Sequence, residues 1–237
     1  MSNQPGPMLS YETPRGRGLG FRVHFESAHG NAVATMTLVA AATLLNCAAI
    51  WADYAQVLLL QQIKLHIPLL PGQAQQNDLR VRVIAIAATG VTIAGIVVWV
   101  IWAYRAYRNL QPLNGQSAKH TAGSAAGGFF IPFVNVVRIP QVMTELWNDS
   151  DPAGHGGGLL VLCWWLAWMA GGIAAQFAKM STTPLYPGGR PDIDSLISMT
   201  WTFLASHVLV VAAGSLAVWL VWGIDDRQRR RAIMTGR

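Results

Sequence analysis

Four long apolar blocks, each without Asp, Glu, Lys or Arg, constrain the fold of this chain more than any other feature. They cover residues 33–51, 83–104, 159–178 and 198–224. A bilayer core is about 30 Å thick, and a helix needs roughly 20 apolar residues to cross it. Only 12% of the residues are charged, against about a quarter in an ordinary soluble domain. We therefore predict an all-α, multi-pass membrane protein with four transmembrane helices.

The polar segments divide the chain into a membrane domain and two tails. We predict a mobile N-terminal tail over 1–31, a four-helix bundle over 32–224 and a basic tail over 225–237. The predicted spans are about 33–54, 83–104, 159–178 and 198–224, with a central loop over 105–158. Cys47 and Cys163 lie inside apolar blocks, and we expect them to be small buried hydrophobic residues.

The distribution of positive charge predicts the orientation. Twelve of the 17 Lys and Arg residues lie in the two tails and the central loop, and five lie in the other loops. Lys and Arg mark the cytoplasmic side of a membrane protein. We therefore place both termini and the central loop in the cytoplasm, with the protein in the cell membrane. The net charge of +6 is explained by anionic lipid headgroups at the helix ends, and we predict no nucleic acid partner.

Small residues recur at four-residue spacing as Gly90/Ala94, Gly171/Ala175 and Ala213/Ala217. Small residues let helices approach closely in lipid. This spacing favours packing between helices of one chain over dimerisation, and a homo-oligomer is kept as an alternative.

The central loop contains a short amphipathic helix that we expect to lie on the cytoplasmic surface or to cap the bundle. Its apolar face recurs at helical spacing. The face comprises Ile139, Val142, Met143, Leu146 and Trp147. Pro140 suits the first turn of a helix, because a backbone N–H at that position has no partner within the helix. Asp151 and Pro152 are predicted to end the amphipathic helix. Before it, residues 129–133, with Pro132, are predicted to form an apolar plug at the inner mouth of the bundle.

The second membrane helix ends in a basic motif that has two interpretations. Arg105, Arg108 and Asn109 share one helical face. In the first, Arg105 or Arg108 pairs with Glu145 or Asp149 and clamps the loop to the bundle. In the second, Arg105 and Arg108 join Asn135 and Arg138 in an anion-binding site. We favour the clamp, because arginines are common at cytoplasmic helix ends.

Few polar residues interrupt the apolar blocks. His207 lies within the fourth, and an ionisable residue inside a membrane is a functional candidate. No second histidine lies within a span to complete a haem site, so we expect His207 to bond a neighbouring helix. We expect the same interhelical bonding from Thr43, Asn46 and Gln176, whereas Asp53 lies at the outer edge of its block.

The sequence contains no pattern typical of a metal site, a phosphate-binding loop or a serine hydrolase. Asp192 and Asp194 are expected to form a solvated turn before the fourth helix rather than a cation site. We predict no catalytic residue, no metal and no cofactor.

Three segments carry a resemblance to a known family. WAYRAYRN (102–109), GGFFIPFVNVVRIPQVMTELWNDSDP (127–152) and LCWWLAWMAG (162–171) resemble the bacterial membrane family called domain of unknown function 4328, over residues 30–224. The positions that match its motifs are Arg105, Arg108, Asn109, Pro132, Asn135, Arg138, Glu145, Trp147 and Ser150. The chain departs from the family where Ile139 separates Arg138 from Pro140, and where Ala and Gly at 125–128 replace a Trp. The resemblance implies a four-helix protein of the bacterial inner membrane and supplies no activity.

These features favour a non-enzymatic accessory or scaffold protein that uses its cytoplasmic loop to bind a protein partner. The candidate binding residues are Arg105, Arg108, Asn109, Asn135, Arg138, Glu145 and Trp147. The alternative is a small-molecule or lipid-binding membrane protein, either a transporter or a membrane enzyme, with an anion site at the inner mouth. A haem or quinone subunit around His207 and the Trp-rich third helix is disfavoured.

Overall fold

A computed structural model describes residues 24–114, 119–129, 131, 134–150, 156–180 and 192–236 of this chain. Within these ranges every regular element is an α-helix. The four long helices are α1 (His29–Lys64), α2 (Gln73–Arg108), α6 (Gly158–Met180) and α7 (Ile193–Met234). The short helices α3 (Leu110–Asn114), α4 (Ala122–Gly127) and α5 (Val134–Asp149) lie between α2 and α6.

The four long helices confirm the predicted fold class, because each is long and apolar enough to cross a membrane. They also extend beyond the apolar blocks. α7 has 42 residues, which corresponds to about 63 Å at 1.5 Å per residue. The segment predicted as a basic tail continues α7 to Met234, and ion pairs one turn apart, Asp225–Arg229 and Asp226–Arg230, support this extension.

α1 and α7 form the centre of the bundle. α2 packs on α1 and α6 packs on α7, whereas α2 and α6 share no comparable interface in the described ranges. The order α2, α1, α7, α6 therefore leaves a gap between the two flanking helices. The stacked indoles of Trp99 and Trp164 bridge this gap, with ring centroids 5.5 Å apart.

Polar pairs join α1 and α7 at three levels, which shows that the two helices are antiparallel. His29 Nδ1 lies 2.8 Å from Asp225 Oδ2, and His207 Nδ1 lies 2.7 Å from Asp53 Oδ2. Lys64 pairs with Asp194. We call the end with His29 and Asp225 the terminal end, and the end with Lys64 and Asp194 the distal end.

Two polar levels on α1 are separated by about one bilayer thickness: one at Asn31, close to the His29–Asp225 pair, and one at Asp53. Asn31 and Asp53 are 22 residues apart in α1, which corresponds to about 33 Å. Between Asn31 and Asp53, α1 carries no Asp, Glu, Lys or Arg, and Arg80 of α2 lies over the indole of Trp51 near the Asp53 side of this stretch. Trp51 and Tyr54 lie on either side of Asp53 in α1, and Trp201 of α7 contacts Tyr54. Trp and Tyr are enriched at membrane interfaces.

The outward faces of the long helices are apolar. Leu44, Ile86 and Phe177 are each about two-thirds exposed, as expected for side chains that face lipid. Cys47 and Cys163 are also exposed, so the prediction that they are buried is wrong. Apolar side chains need no protein cover in a bilayer, so the hydrophobicity of a block does not identify its buried face.

Some small residues bring helices close together. The Cα of Gly171 faces α7, where an added Cβ would lie 3.0 Å from Val210 Cγ2, and Ser206 Oγ donates to the Gly171 carbonyl at 2.8 Å. A Cβ at Gly214 would collide with Thr43 Oγ1. Gly90 has nothing within 4 Å of such an atom, so its small size serves no contact between described residues.

α5 caps the terminal end of the bundle. Its predicted apolar face is buried, and it packs against α6 and α7. The helix begins at Val134, so Pro140 lies inside it and not in its first turn as predicted. The chain tolerates the proline at the cost of one helical hydrogen bond, because this helix is held by tertiary packing. Pro132, Asp151 and Pro152, together with most of the predicted plug, lie outside the described residues.

Candidate ligand-binding site

The arginines at the end of α2 bind the N-terminal segment and not α5. Arg105 Nη1 donates to Asn31 Oδ1 at 3.1 Å, and Arg108 Nη2 lies 3.6 Å from Glu26 Oε1. The predicted clamp, in which Arg105 or Arg108 pairs with Glu145 or Asp149, is therefore not formed: the arginines bond Asn31 and Glu26 instead. Residues 105 and 108 share a face of α2 directed at the start of α1, whereas residue 107 lies on a different face.

Tyr107 makes the contact that the arginines were expected to make. Its hydroxyl donates to Glu145 Oε2 at 2.8 Å, and it accepts from the His120 amide at 3.0 Å. Glu145 Oε1 accepts from the Lys119 amide at 2.8 Å. Tyr107 and Glu145 are both buried. Because each oxygen of the carboxylate has a donor, Glu145 fixes the loop before α4 to α2 and α5.

Other motif residues also hold the terminal end together. Asn109 donates to the Glu26 carbonyl at 2.8 Å and accepts from the Glu26 amide at 3.2 Å. Ser150 Oγ accepts from Gln228 Nε2 at 3.1 Å, and the same nitrogen donates to the Ala106 carbonyl at 2.9 Å. These buried bonds connect α2, α5 and α7.

Trp147 of α5 packs tightly against two glycines. Arg227 Cζ lies 3.5 Å from its ring centroid. A Cβ built on Gly157 or Gly223 would lie under 3.0 Å from the indole. Trp147 therefore has a packing role, and it is not an exposed anchor for a partner.

Asn135 and Arg138, one turn apart on α5, have different surroundings. Arg138 Nη2 donates to Ser124 Oγ at 2.7 Å, and its stem lies against Gly128. Asn135 lines a cavity that none of the arginines lines. The four residues of the predicted anion site therefore do not converge.

His207 bonds a neighbouring helix as predicted, but its partner is a carboxylate. The His207–Asp53 pair is largely buried between α1 and α7, with the side chains 26% and 13% exposed. Phe203 stacks on the imidazole, with ring centroids 6.5 Å apart. A buried polar group with a hydrogen-bond partner costs far less than one without a partner, so the pair serves as a structural contact between α1 and α7.

The cavity beside Asn135 occupies the gap between α2 and α6. Its volume is about 290 Å³. Residues of α1 and α7 form its floor, and residues of α2 and α6 form its walls. The floor comprises Leu38, Val39, Ala42, Thr43, Asn46, Val210, Ala213, Gly214 and Ala217. The walls and terminal end comprise Val91, Thr92, Gly95, Ile96, Trp99, Val100, Phe129, Asn135, Ile139, Trp164, Trp165 and Trp168. We call this cavity the lateral groove.

None of the described residues that line the lateral groove has a charged side chain. Its polar side-chain groups are the hydroxyls of Thr43 and Thr92, the carboxamides of Asn46 and Asn135, and the indole N–H groups of its four tryptophans. Thr43 donates to the Val39 carbonyl and Asn46 to the Ala42 carbonyl, both within α1, so the predicted interhelical bonds are wrong. Both residues line the groove, and Thr43 also lies against Gly214 of α7.

Titratable groups with shifted pKa values lie away from the groove. Burial, followed by the charge of Glu145, raises the pKa of the Asp149 carboxyl. Hydrogen bonds from Ser195 lower the pKa of the Asp192 carboxyl, which caps the start of α7. Across the described residues, no group of three His, Cys, Asp or Glu side chains is placed to hold a metal.

Sequence reasoning identified Asn135 but missed the rest of the groove. Trp99, Trp164, Trp165 and Trp168 resemble interface markers in the sequence, and only the arrangement of the helices brings them together. The available signal was weak: polar Thr43, Asn46 and Thr92 lie in blocks that are otherwise apolar.

Of three comparisons with known proteins, one gave a match. A family model described as a domain of unknown function (DUF4328) matches residues 67–226, which is more than half of the chain. The match begins after α1, so it is shorter at the N-terminal side than the resemblance noted in the sequence. A search of curated proteins and a search of solved structures found no match. The chain belongs to the DUF4328 family of proteins, whose shared domain has no assigned function.

Proposed function

We propose that this protein binds a lipophilic molecule of the membrane in the lateral groove. The observation that carries this proposal is the position of the groove, which lies between the polar levels marked by Asn31 and Asp53. A cavity at this depth that is open between two helices faces acyl chains and not water. Its size is at the lower end of the range for small-molecule sites.

The lining supports an apolar occupant. Aliphatic side chains and four indoles form most of the surface, and the few polar groups are uncharged. An ionic substrate would enter this groove without a countercharge, which is costly in a medium of low dielectric constant. The lining therefore favours the lipid-binding alternative over an anion site at the inner mouth.

The accessory role inferred from the sequence stays a prediction. Most of the candidate partner-binding residues make contacts within the chain, including Asn109, Glu145 and Trp147. The exposed surface at the terminal end is the tip of α7, where Arg230, Ile233 and Met234 are each at least two-thirds exposed. A protein partner or anionic headgroups at this end would be expected to contact that tip.

We also propose that the terminal end faces the cytoplasm of the cell. The unequal distribution of Lys and Arg supports this orientation. Introduced cysteines at Gln111 and at Gln75 provide the test in intact cells with a membrane-impermeant reagent. To remove background, Cys47 and Cys163 are first replaced by Ala. Labelling at Gln75 alone supports the orientation, and labelling at Gln111 alone reverses it.

A filled groove tests ligand binding directly. Gly95 lines the groove, and an added Cβ there meets only Leu38 Cβ at 3.8 Å, so Gly95→Phe can project into the cavity. Gly90→Phe is the matched control on the same helix, because Gly90 has open space around it and does not line the groove. We expect native mass spectrometry to show bound lipid in wild type and Gly90→Phe but not in Gly95→Phe. Equal bound mass in all three proteins would contradict the proposal.

A further inference from the structure

The polar side chains of the lateral groove keep unused hydrogen-bonding capacity. Thr43, Thr89 and Thr200 each donate to the carbonyl four residues earlier. Thr92 makes no such bond, and no described residue accepts from its hydroxyl. A hydroxyl without a partner inside a membrane carries a cost that a ligand group can remove.

The carboxamides show the same feature. Asn46 is buried, with only 9% of its surface exposed. Its side chain makes one hydrogen bond, in which Nδ2 donates to the Ala42 carbonyl. Its Oδ1 and second N–H have no partner among the described residues, and the residue lines the groove. The side chain of Asn135 likewise makes no hydrogen bond to a described residue.

Asn46 lies too deep for a charged headgroup. Asn46 is 15 residues from Asn31 and seven from Asp53 along α1, which is about 22 Å and about 10 Å from the two polar levels. A phosphate at that depth would need a cation, and the groove lining offers none. A hydroxyl or carbonyl can lie there, because it exchanges one neutral hydrogen bond for another.

We propose that the groove selects an uncharged lipid whose own hydroxyl or carbonyl group bonds Asn46 and Thr92 inside the membrane. This inference rests on the proposed function and specifies its ligand class. Two sources share the chemistry: glycerolipids without a phosphate, and prenyl lipids with a ring carbonyl or a terminal hydroxyl. The stacked indoles of the wall accommodate either a chain or a flat ring.

The test measures lipid binding by the full chain in nanodiscs with three probes: dioleoylglycerol, decylubiquinone and phosphatidylglycerol. The informative variants are Asn46→Leu and Thr92→Val. Thr89→Val is the matched control, since it removes a hydroxyl one turn away that does not line the groove and already bonds the Ala85 carbonyl.

We expect a neutral probe to bind and each informative variant to weaken it by about five- to tenfold, the effect of one lost hydrogen bond. Thr89→Val should bind like wild type. Dioleoylglycerol alone would identify the glycerolipid source, and decylubiquinone alone the prenyl source. The inference is overturned if phosphatidylglycerol binds best, or if the informative variants bind like wild type. In either case, a loss of binding in Gly95→Phe would still support lipid binding in the groove, which is the proposed function. Unchanged binding in Gly95→Phe would contradict the proposed function as well as this inference.

Discussion

Trp99 of α2 and Trp164 of α6 stack with their rings 18° from parallel, and this contact bridges two helices that otherwise barely meet. Both indoles are more than 90% buried. The pair forms the wall of the lateral groove nearest the terminal end. It therefore controls how closely α2 and α6 approach each other at that end.

Removing either indole should loosen the bundle through the loss of this contact. We expect a double-mutant cycle of Trp99→Ala and Trp164→Ala to give a coupling energy of about 0.5–1.5 kcal/mol, measured by chemical unfolding in detergent. Trp219→Ala is the control, because Trp219 is 57% exposed and faces away from this pair. Additive effects of the two substitutions would show that the stacking carries no energy.

Tyr107→Phe should destabilise the terminal end, because it leaves Glu145 Oε2 buried without its donor. We expect a loss of about 1–3 kcal/mol in the free energy of unfolding. Tyr104→Phe removes an equivalent hydroxyl from a side chain that is 40% exposed, and it should change little. Hydrogen exchange of the Lys119 and His120 amides provides a local measurement, and unchanged exchange would contradict this role.

Asp53→Asn should destabilise the contact between α1 and α7, since it weakens the bond to His207. We expect a loss of about 1–3 kcal/mol, as for a buried hydrogen-bonded group that loses its partner. The double variant Asp53→Leu/His207→Leu should recover part of the loss, because no polar group then stays unpaired. Thermal unfolding in one detergent of wild type, Asp53→Asn, the two single variants Asp53→Leu and His207→Leu, and the double variant measures this. A double variant that is destabilised by more than the sum of its two single Leu variants would disprove the pairing.

The pH dependence of stability should reflect Asp149. Its pKa in the folded protein is raised above the ordinary value of 3.8, so the folded state binds the proton more tightly than the unfolded state. Stability therefore falls as the pH rises from 3.8 through the raised pKa, and Asp149→Asn removes this component. We expect the variant to match wild type near pH 3.5 and to gain in relative melting temperature at higher pH. Asp78→Asn, which removes an exposed carboxylate of α2, shows how much any single carboxylate contributes.

Two adjacent glycines of α6 should respond in opposite ways to a large side chain. Gly171→Leu should disrupt packing on α7, where a Cβ already meets Val210 Cγ2 at 3.0 Å and the Ser206 carbonyl at 3.3 Å. Gly172→Leu enters open space and should fold normally. The yield of monodisperse protein after gel filtration measures both, and similar yields would contradict the predicted contact.

The sequence is sufficient to predict the number of long helices, the apolar face of α5 and a bonded His207, because each depends on local periodicity or composition. The sequence does not predict which side chains of different helices bond each other. Arg105 and Tyr107 are two residues apart, and only the rotation of α2 decides which reaches Glu145. The groove is a property of helix order, since Asn46 and Thr92 approach it from different helices and neither position reveals the gap between α2 and α6.

The spacing of the polar levels on α1 has a consequence for the surrounding bilayer. His29 and Asn31 bind α7 and α2 at one level, and Asp53 binds α7 at the other, so neither level can slide without breaking a bond. Hydrophobic mismatch costs fractions of a kcal/mol for each ångström. The stretch of α1 between the two levels is about 33 Å long at 1.5 Å per residue over 22 residues, so we expect the bundle to fit a bilayer with a hydrocarbon core of about that thickness. In a thinner bilayer it would tilt or thicken the lipid around it, and in a thicker one it would thin that lipid.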